Sequence, residues 1–425
     1  MTVYRQTATR WVNAGEGLLP LLEKVLTWAV IATVFFLPTS EALKNIFFVV
    51  ALALYVVVIF ASRERIVVSP VGWLLLSFLG AAILSAVASP YPGKAMEGVW
   101  DVFRATSFFF IGARGIREDR HVRVVCWVIV ASWGITALVT ILRYLQHYST
   151  GGVGTLIDAL SVGGIDSAAL YAVMGLALMF GMYVHTDVVG WRLVLLVTIA
   201  SLSVIVLGIT HTRMLWGGFI LMLLVLGWLR SARVAFTVIA LSVLMVFGIA
   251  LVDPQVSSNA LNLTSVEAYR KGLGGGGVRA ELRNKAIAMW RDAPWIGVGP
   301  KAFKLHDDVA HNPQRSKYGP LQGHPHNEWL RTAVEMGSLG VLILAATFVY
   351  LGFWLIDRRR RFSFSWRAAV WDGAFGCWLA ILVGSLTEPN FGQEHAMFFM
   401  LLLALLQAEV PSGKASAAAT KGPEI

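Results

Sequence analysis

Two histidines and an asparagine stand together in one hydrophilic stretch of the chain, in the segment Gly323-His324-Pro325-His326-Asn327. Histidine changes its charge near neutral pH and commonly serves as a general base. His326 directly precedes a predicted helix start at Asn327, and the positive end of a helix favours the uncharged imidazole. We therefore predict that His326 is a general base for a hydroxyl group, with His324 and Asn327 in support.

Two other roles are open to this segment. Histidines separated by one residue can bind a metal ion, but the sequence offers no cluster of cysteines or carboxylates to complete such a site. We expect no metal and no cofactor. The remaining alternative is that the histidines only cap a helix or pack.

Two arginines are candidates for binding a phosphate group. Arg213 follows Thr212 at the outer end of a hairpin between two apolar segments, where an arginine needs an anionic partner or must reach lipid phosphate. Arg279 opens a predicted helix after the glycine-rich run 272–277. That run matches no nucleotide-binding fingerprint and is more typical of a hinge. Because guanidinium groups bind phosphate through paired hydrogen bonds, we interpret Arg213 and Arg279 as a clamp for a phosphorylated ligand at the membrane surface.

Further charged residues are candidates for supporting roles. Arg283 lies one turn after Arg279 and could share its face, although a solvated charge explains it equally well. Asp101 and Arg104 stand three residues apart on an apolar segment, so we expect them to pair. Glu388 follows another apolar segment and could orient a histidine or a substrate hydroxyl, or be an ordinary interfacial carboxylate.

The elements that carry these residues are predicted to be membrane helices. Of 425 residues, 57% are hydrophobic and 14% charged, against about 25% charged in soluble domains. We predict an all-α polytopic membrane protein with about twelve transmembrane helices. The corresponding apolar stretches are Val25–Pro38, Leu43–Ala61, Pro70–Ser89, Val99–Ala113, Val122–Leu145, Ser167–His185, Gly190–Thr210, Met214–Leu229, Val234–Val252, Ser338–Ile356, Ala368–Thr387 and His395–Gln407.

The positive charge of the chain indicates its topology. A net charge of +10 could point to nucleic acid, but most lysines and arginines lie in short loops between apolar segments. That distribution favours contact with membrane lipids and excludes nucleic acid. The basic residues fall mainly in alternate loops, so we expect both termini to be cytoplasmic. Both cysteines lie in apolar segments, which argues against a disulfide framework.

One long hydrophilic segment divides the chain. We predict nine transmembrane helices in residues 1–252, a loop outside the cytoplasm with the helices that carry the candidate residues in 253–337, three transmembrane helices in 338–410 and a disordered cytoplasmic tail in 411–425. Helical spacing of apolar residues predicts one loop helix that begins near Val278 and stops at Pro294. A second loop helix is predicted to begin at Asn327 and end at Gly337.

The pattern of motifs is similar to that of a known family. Arg279, the turn Pro294-Trp295-Ile296-Gly297-Val298-Gly299, the segment His324-Pro325-His326-Asn327 and the later Glu335-Met336-Gly337 together resemble the O-antigen ligase and O-antigen polymerase superfamily. An arginine at the outer end of an upstream membrane helix also belongs to the family pattern, and Arg213 matches it. Thr212 stands where the family often has serine.

The resemblance implies a GT-C-type, metal-independent and inverting glycosyltransferase. The donor would be O-antigen polysaccharide on undecaprenyl diphosphate, held by Arg213 and Arg279, and the acceptor lipid A–core, activated by His326. The reaction would take place at the periplasmic face of a Gram-negative inner membrane.

Three other functions stay open at this point. An O-antigen polymerase and a protein O-oligosaccharyltransferase of the same superfamily share the expected donor. A transporter or flippase is disfavoured because the polar residues concentrate at the outer rim instead of mid-membrane. The sequence assigns neither the sugars, nor the oligomeric state, nor the roles of His147, His211, His306 and His311.

Overall fold

A computed structural model describes residues 2–63, 68–149, 165–210, 212–230, 278–303, 325–362, 364–386 and 394–407. Within these ranges the regular elements are helical, which confirms the all-α prediction. The helices are α1 (Thr2–Phe36), α2 (Glu41–Ser62), α3 (Pro70–Val87), α4 (Pro92–Gly115), α5 (Asp119–Ser149), α6 (Ile165–His185), α7 (Trp191–Ile209), α8 (Arg213–Arg230), α9 (Val278–Asp292), α10 (Glu328–Arg358), α11 (Trp366–Gly384) and α12 (Glu394–Gln407).

Eight of the described helices are long and apolar enough to cross a membrane, namely α1, α2, α3, α5, α6, α7, α10 and α11. This confirms a multi-pass membrane protein and leaves the count of twelve unconfirmed. The apolar parts of α8 and α12 are shorter, and α4 is helical but carries Asp101 and Arg104. The predicted span Val234–Val252 and the predicted tail 411–425 lie outside the described residues.

The interior of the bundle is formed by α6, α11 and α12, whose described side chains are mostly buried. Small residues bring α6 and α11 into close contact, as is typical of membrane helices. A Cβ on Gly181 would lie 2.4 Å from the Ala369 carbonyl oxygen, and one on Gly376 would lie 2.6 Å from the Ala177 Cβ. By contrast, α2 and α7 leave many large apolar side chains exposed, as lipid-facing helices do.

Both predicted loop helices are present. Helix α9 ends before Pro294, as its sequence indicates. Asn327 caps the start of α10, and the first helical part of α10 ends at Gly337, as predicted. The backbone is non-helical at Gly337 (φ 66°, ψ −171°) and then continues as helix to Arg358. The second loop helix and the tenth predicted span therefore follow each other directly across a kink at Gly337, where glycine adopts the required positive φ without a steric clash of its own.

Contacts between helix ends define two opposite ends of the bundle. The loop end holds Ser89 at the end of α3, Asp101 on α4, Asn327 before α10 and Ser385 after α11. The arginine end holds Arg114, Arg358, Arg359 and Arg367. The described positions of His326 and Asn327 and the start of α8 at Arg213 lie at the loop end.

Candidate functional site

The turn after α9 and the break in α10 are joined by backbone hydrogen bonds. Val298 N–H donates to the Val334 carbonyl and Gly299 N–H to the Glu335 carbonyl, both at 2.9 Å. In the other direction, Ser338 N–H donates to the Pro294 carbonyl at 2.7 Å. We call residues 294–299 together with 334–339 the glycine clamp. Two motifs that are about 40 residues apart in the sequence are thus one structural unit.

Two glycines make the clamp possible. Gly297 and Gly337 have φ angles of 69° and 66°, in the left-handed region that disfavours residues with a Cβ. A Cβ on Gly337 would lie 2.2 Å from the Trp295 carbonyl carbon, and one on Gly297 would lie 2.5 Å from the Val334 oxygen. The two backbones approach so closely that no side chain fits between them. The role of these two motif glycines is therefore structural, since they allow the two backbones to approach each other.

The clamp and a small apolar cluster fix α9 against the first turns of α10. Leu282, Ala286 and Met289 on α9 are buried with Val334, and Leu330 packs against the same cluster. Leu282 lies one turn after Arg279, and Leu330 lies one turn after His326. The start of α9 and the start of α10 thus belong to one packed region.

His326 lies at the start of α10 with a strained backbone. It is half-buried, and its φ of 48° is unusual for a residue other than glycine. Such strain persists only where surrounding contacts over-determine the conformation, and it is enriched at functional sites. The next residue, Asn327, is extended and caps α10 by accepting a hydrogen bond from Leu330 N–H at 2.8 Å. The predicted base therefore lies beside a helix N-terminus, as its sequence position indicates.

The start of α10 is also tied to the end of α11. Asn327 Nδ2 donates to the Leu386 carbonyl at 2.9 Å, and Glu328 N–H donates to the Ser385 carbonyl at 2.9 Å. Trp329 Nε1 donates to Ser385 Oγ at 3.1 Å. Asn327 thus uses both of its side-chain polar atoms to hold the segment that carries His326.

Helix α8 brings Arg213 to the same end. A Cβ on Gly218 of α8 would lie 3.6 Å from Val383 near the end of α11, and Met222 lies beside Gly376 further along. Arg213 is the first residue of α8, five positions before Gly218. The helix position of Arg213 is therefore at the loop end, level with the end of α11 and the start of α10.

Some predicted residues are described only in part or not at all. The structure describes the helix positions of Arg213 and Arg279 and not their side chains. His324 and Glu388 lie outside the described residues, as do His211, His306, His311 and the side chain of His147. Arg283 is exposed on α9. The roles assigned to these residues stay predictions.

Arg104 has a structural role. Its Nη2 lies 2.5 Å from Asp101 Oδ1, which confirms the expected pair, and its Nη1 donates to Asn45 Oδ1 at 2.8 Å. The other oxygen of Asp101 pairs with the Lys301 ammonium, directly after the glycine clamp. The Arg104 side chain is only 11% exposed. Its contacts link α4 to α2 and, through Asp101, to Lys301 beside the clamp. It was predicted as a supporting residue, and the structure favours positioning over phosphate binding.

Two lysines near the starts of α2 and α4 are paired with acidic residues. Lys44 is buried, and its ammonium lies 2.7 Å from Glu41 Oε2. Lys94 donates to Glu97 at 2.5 Å, and this hydrogen bond lowers the pKa of the exposed Glu97 carboxyl. These pairs make both lysines weaker candidates for binding a diphosphate.

Sequence reasoning missed an ion pair beside His326. Arg331 Nη2 lies 2.6 Å from Glu328 Oε1, and the Glu328 side chain is 1% exposed. The i, i+3 spacing within the first turn of α10 was a readable signal. Because a buried carboxylate at a helix N-terminus interacts favourably with the helix dipole, Glu328 and Arg331 stabilise the helix start that carries the predicted base.

In the described part of the chain, no three His, Cys, Asp or Glu side chains lie close enough together to hold a metal ion.

Residues 198–345 match the family model described as O-Antigen ligase. No curated protein matches the chain at a significant level. The matched region runs from α7 to the part of α10 beyond the glycine clamp, so it includes Arg213, Arg279 and His326. The match confirms the resemblance that the motifs indicated, and it assigns residues 198–345 to the O-antigen ligase family.

Proposed function

We propose that the protein is an O-antigen ligase that transfers polysaccharide from undecaprenyl diphosphate to lipid A–core. The reaction takes place at the periplasmic face of the inner membrane in a Gram-negative bacterium. One observation carries the proposal: the starts of α8 and α10 lie at one end of the bundle, and α9 packs on the first turns of α10. The helix positions of Arg213, Arg279 and His326 therefore belong to one region.

Arg213 and Arg279 would bind the donor diphosphate. A polyprenyl diphosphate places its two phosphates at the membrane–water interface, where the loop end of a spanning bundle also lies. Negative charge develops on the diphosphate as the bond to the sugar breaks, and guanidinium groups are suited to stabilise it. Both arginines occupy first turns of helices, where the backbone also favours anions.

His326 would act as the general base. Its imidazole removes the proton from the acceptor hydroxyl, and that oxygen attacks the anomeric carbon of the donor. The bond to the diphosphate breaks in the same step, so the configuration at that carbon inverts. Undecaprenyl diphosphate is a good leaving group, and the reaction needs no general acid and no metal.

A transfer assay with purified components tests the mechanism. The full-length protein in nanodiscs receives the lipid-linked donor and lipid A–core in the presence of a chelator. His326→Asn should lose about 100-fold or more of the rate, a general base contributing ~10²–10⁴-fold. Asparagine tolerates the positive φ of this position, so the helix start survives. Arg213→Ala and Arg279→Ala should lose comparable activity, while Arg361→Ala at the opposite end serves as the control. Full transfer by all three variants would refute the scheme.

The products in cells separate ligase from polymerase. After deletion of the gene, a ligase leaves free lipid A–core together with intact lipid-linked polymer. A polymerase instead leaves core that carries single repeat units. Loss of glycan from proteins alone would indicate a protein O-oligosaccharyltransferase, and flux of lipid-linked sugar into liposomes without a covalent product would indicate a transporter.

A further inference from the structure

A cavity lies at the arginine end of the bundle, away from the proposed active site. Its volume is about 260 Å³. Leu226 and Leu229 near the end of α8 form one apolar wall, and Phe362, Phe364 and Trp371 form the other. Ligand sites for whole small molecules typically measure about 300–1,000 Å³. The cavity thus suits a head group and the adjoining part of an acyl chain better than a whole lipid or a polymer.

Three polar side chains line this cavity, namely His185, Asp372 and Arg359. His185 at the end of α6 has its Nε2 3.1 Å from Asp372 Oδ2 of α11. Both side chains are largely shielded, with 13% and 5% exposure. Ionisable residues inside a membrane bundle are costly and commonly mark a functional site. Together, a carboxylate and an imidazole can bind hydroxyl groups, since one accepts and the other can donate a hydrogen bond.

Arg359 supplies a cation at the rim. Its Nη2 donates to the Leu229 carbonyl, which fixes the orientation of the guanidinium. A guanidinium has five N–H donors, so most of its capacity remains for a ligand. Arg359 stands within a run of four arginines, 358–361, and Arg361 is paired with Asp357. The rim therefore carries an excess of positive charge. Inside the cavity, the Asp372 carboxylate is paired with His185.

We propose that this cavity binds the head group of an anionic phospholipid, with phosphatidylglycerol as the fitting chemistry. The phosphate lies on Arg359, the glycerol hydroxyls reach the Asp372–His185 pair, and the first part of an acyl chain follows the apolar walls. Basic sites between membrane helices bind such head groups. A zwitterionic lipid fits less well, because its ammonium would enter a rim that is already positive.

The bound lipid would join three elements at one point, namely the end of α6, the end of α8 and the start of α11. At this end, the hydrogen bond from Arg359 to the Leu229 carbonyl links α8 to the segment before α11. A lipid phosphate on the same guanidinium extends that link. The site is independent of the proposed transferase reaction at the other end.

Native mass spectrometry of the purified full-length protein tests the proposal. The protein in detergent is titrated with phosphatidylglycerol or with phosphatidylethanolamine of the same acyl chains. Phosphatidylglycerol should bind more tightly, and Arg359→Ala should weaken it about fivefold, the factor equivalent to ~1 kcal/mol per basic residue near a lipid head group. Arg360→Ala removes the same charge from the neighbouring position outside the cavity lining and should change binding less than twofold.

A second variant tests the contribution of the cavity to lipid binding separately from that of the positive charge. Leu229→Trp fills the cavity without altering any charge, and it should weaken phosphatidylglycerol binding several-fold at an unchanged thermal unfolding midpoint of the lipid-free protein. Equal losses in Arg359→Ala and Arg360→Ala would show a diffuse charge effect and overturn the proposal. Equal binding of the two lipids by the unmodified protein, or unchanged binding by Leu229→Trp, would overturn it as well.

Discussion

The two ends of the bundle are held together by different chemistry. At the arginine end, guanidinium groups bind the carbonyls that helix C-termini leave without a partner. Arg367 donates to the Leu405 and Arg117 carbonyls at 2.6 and 2.8 Å, and Arg358 donates to the Leu406 carbonyl at 2.6 Å. At the loop end, the corresponding joins are made by backbone groups, by Asn327 and by serine hydroxyls.

This difference indicates what charge does at each end. The arginines from which the topology was predicted also complete helix ends, so much of their hydrogen-bonding capacity is used inside the protein. At the loop end, backbone groups and neutral side chains make several of the joins, and the charged Arg104, Asp101 and Lys301 bind one another or Asn45 instead of the carbonyls of helix ends. The following predictions test that contrast.

The largest effect is expected at the glycine clamp. Gly337→Ala places a Cβ 2.2 Å from the Trp295 carbonyl carbon at a φ of 66°, so we expect the free energy of unfolding to fall by about 4 kcal/mol, as for the severest single substitutions. Transfer activity should be lost with it. The control is Gly80→Ala in α3, where a Cβ meets nothing within 4 Å. Denaturant unfolding in mixed micelles measures both, and equal stability of the two variants would contradict the role of the clamp.

The second-largest loss of stability is expected at the arginine end. Arg367 is buried and contacts Asp119 at 2.7 Å in addition to two carbonyls. Arg367→Met keeps much of the side-chain volume but leaves buried carbonyls unpaired, which should cost about 3 kcal/mol. The exposed Arg120 pairs only at the surface, so Arg120→Met should change stability by less than about 1 kcal/mol. If both variants unfold alike, the arginines of this end serve topology alone.

A smaller effect should separate the two roles of Asn327. Asn327→Asp keeps the acceptor for Leu330 N–H and loses the donor to the Leu386 carbonyl, while Asn327→Ala loses both. Loss of an N-cap costs about 1 kcal/mol, so the alanine variant should be the less stable of the two. Transfer rates should fall in both, because the segment carrying His326 is no longer tied to α11. An aspartate variant with full activity would show that the tie to α11 is dispensable.

The smallest effect is expected for an exposed pair at the arginine end. Arg361 lies 3.1 Å from Asp357, and both side chains are more than half exposed. Arg361→Ala should change stability by less than about 0.5 kcal/mol. A loss comparable with that of Arg367→Met would mean that the whole arginine run, and not only its buried members, holds this end together.

Several features of the site could be predicted because they depend on neighbours in the sequence. The cap at Asn327, the stop at Pro294 and the pair of Asp101 with Arg104 each need only a local pattern, and the structure confirms all three. The end of the second loop helix at Gly337 is confirmed as well, because the backbone there is non-helical. The sequence did not show that this glycine packs against Trp295 of the turn after α9.

By itself, the sequence determined the membrane-helical class, most helix bounds and the identity of the residues that could act as base and cations. Hydropathy, capping and glycine preference are local properties, so the order of residues is enough to express them. Only the tertiary structure decided that residues 294–299 pair with 334–339, that Asn327 reaches the end of α11 and that Arg359 lines a cavity with His185 and Asp372. Most of those contacts join segments between about 40 and 190 residues apart in the chain, and no local periodicity encodes which distant surfaces fit together.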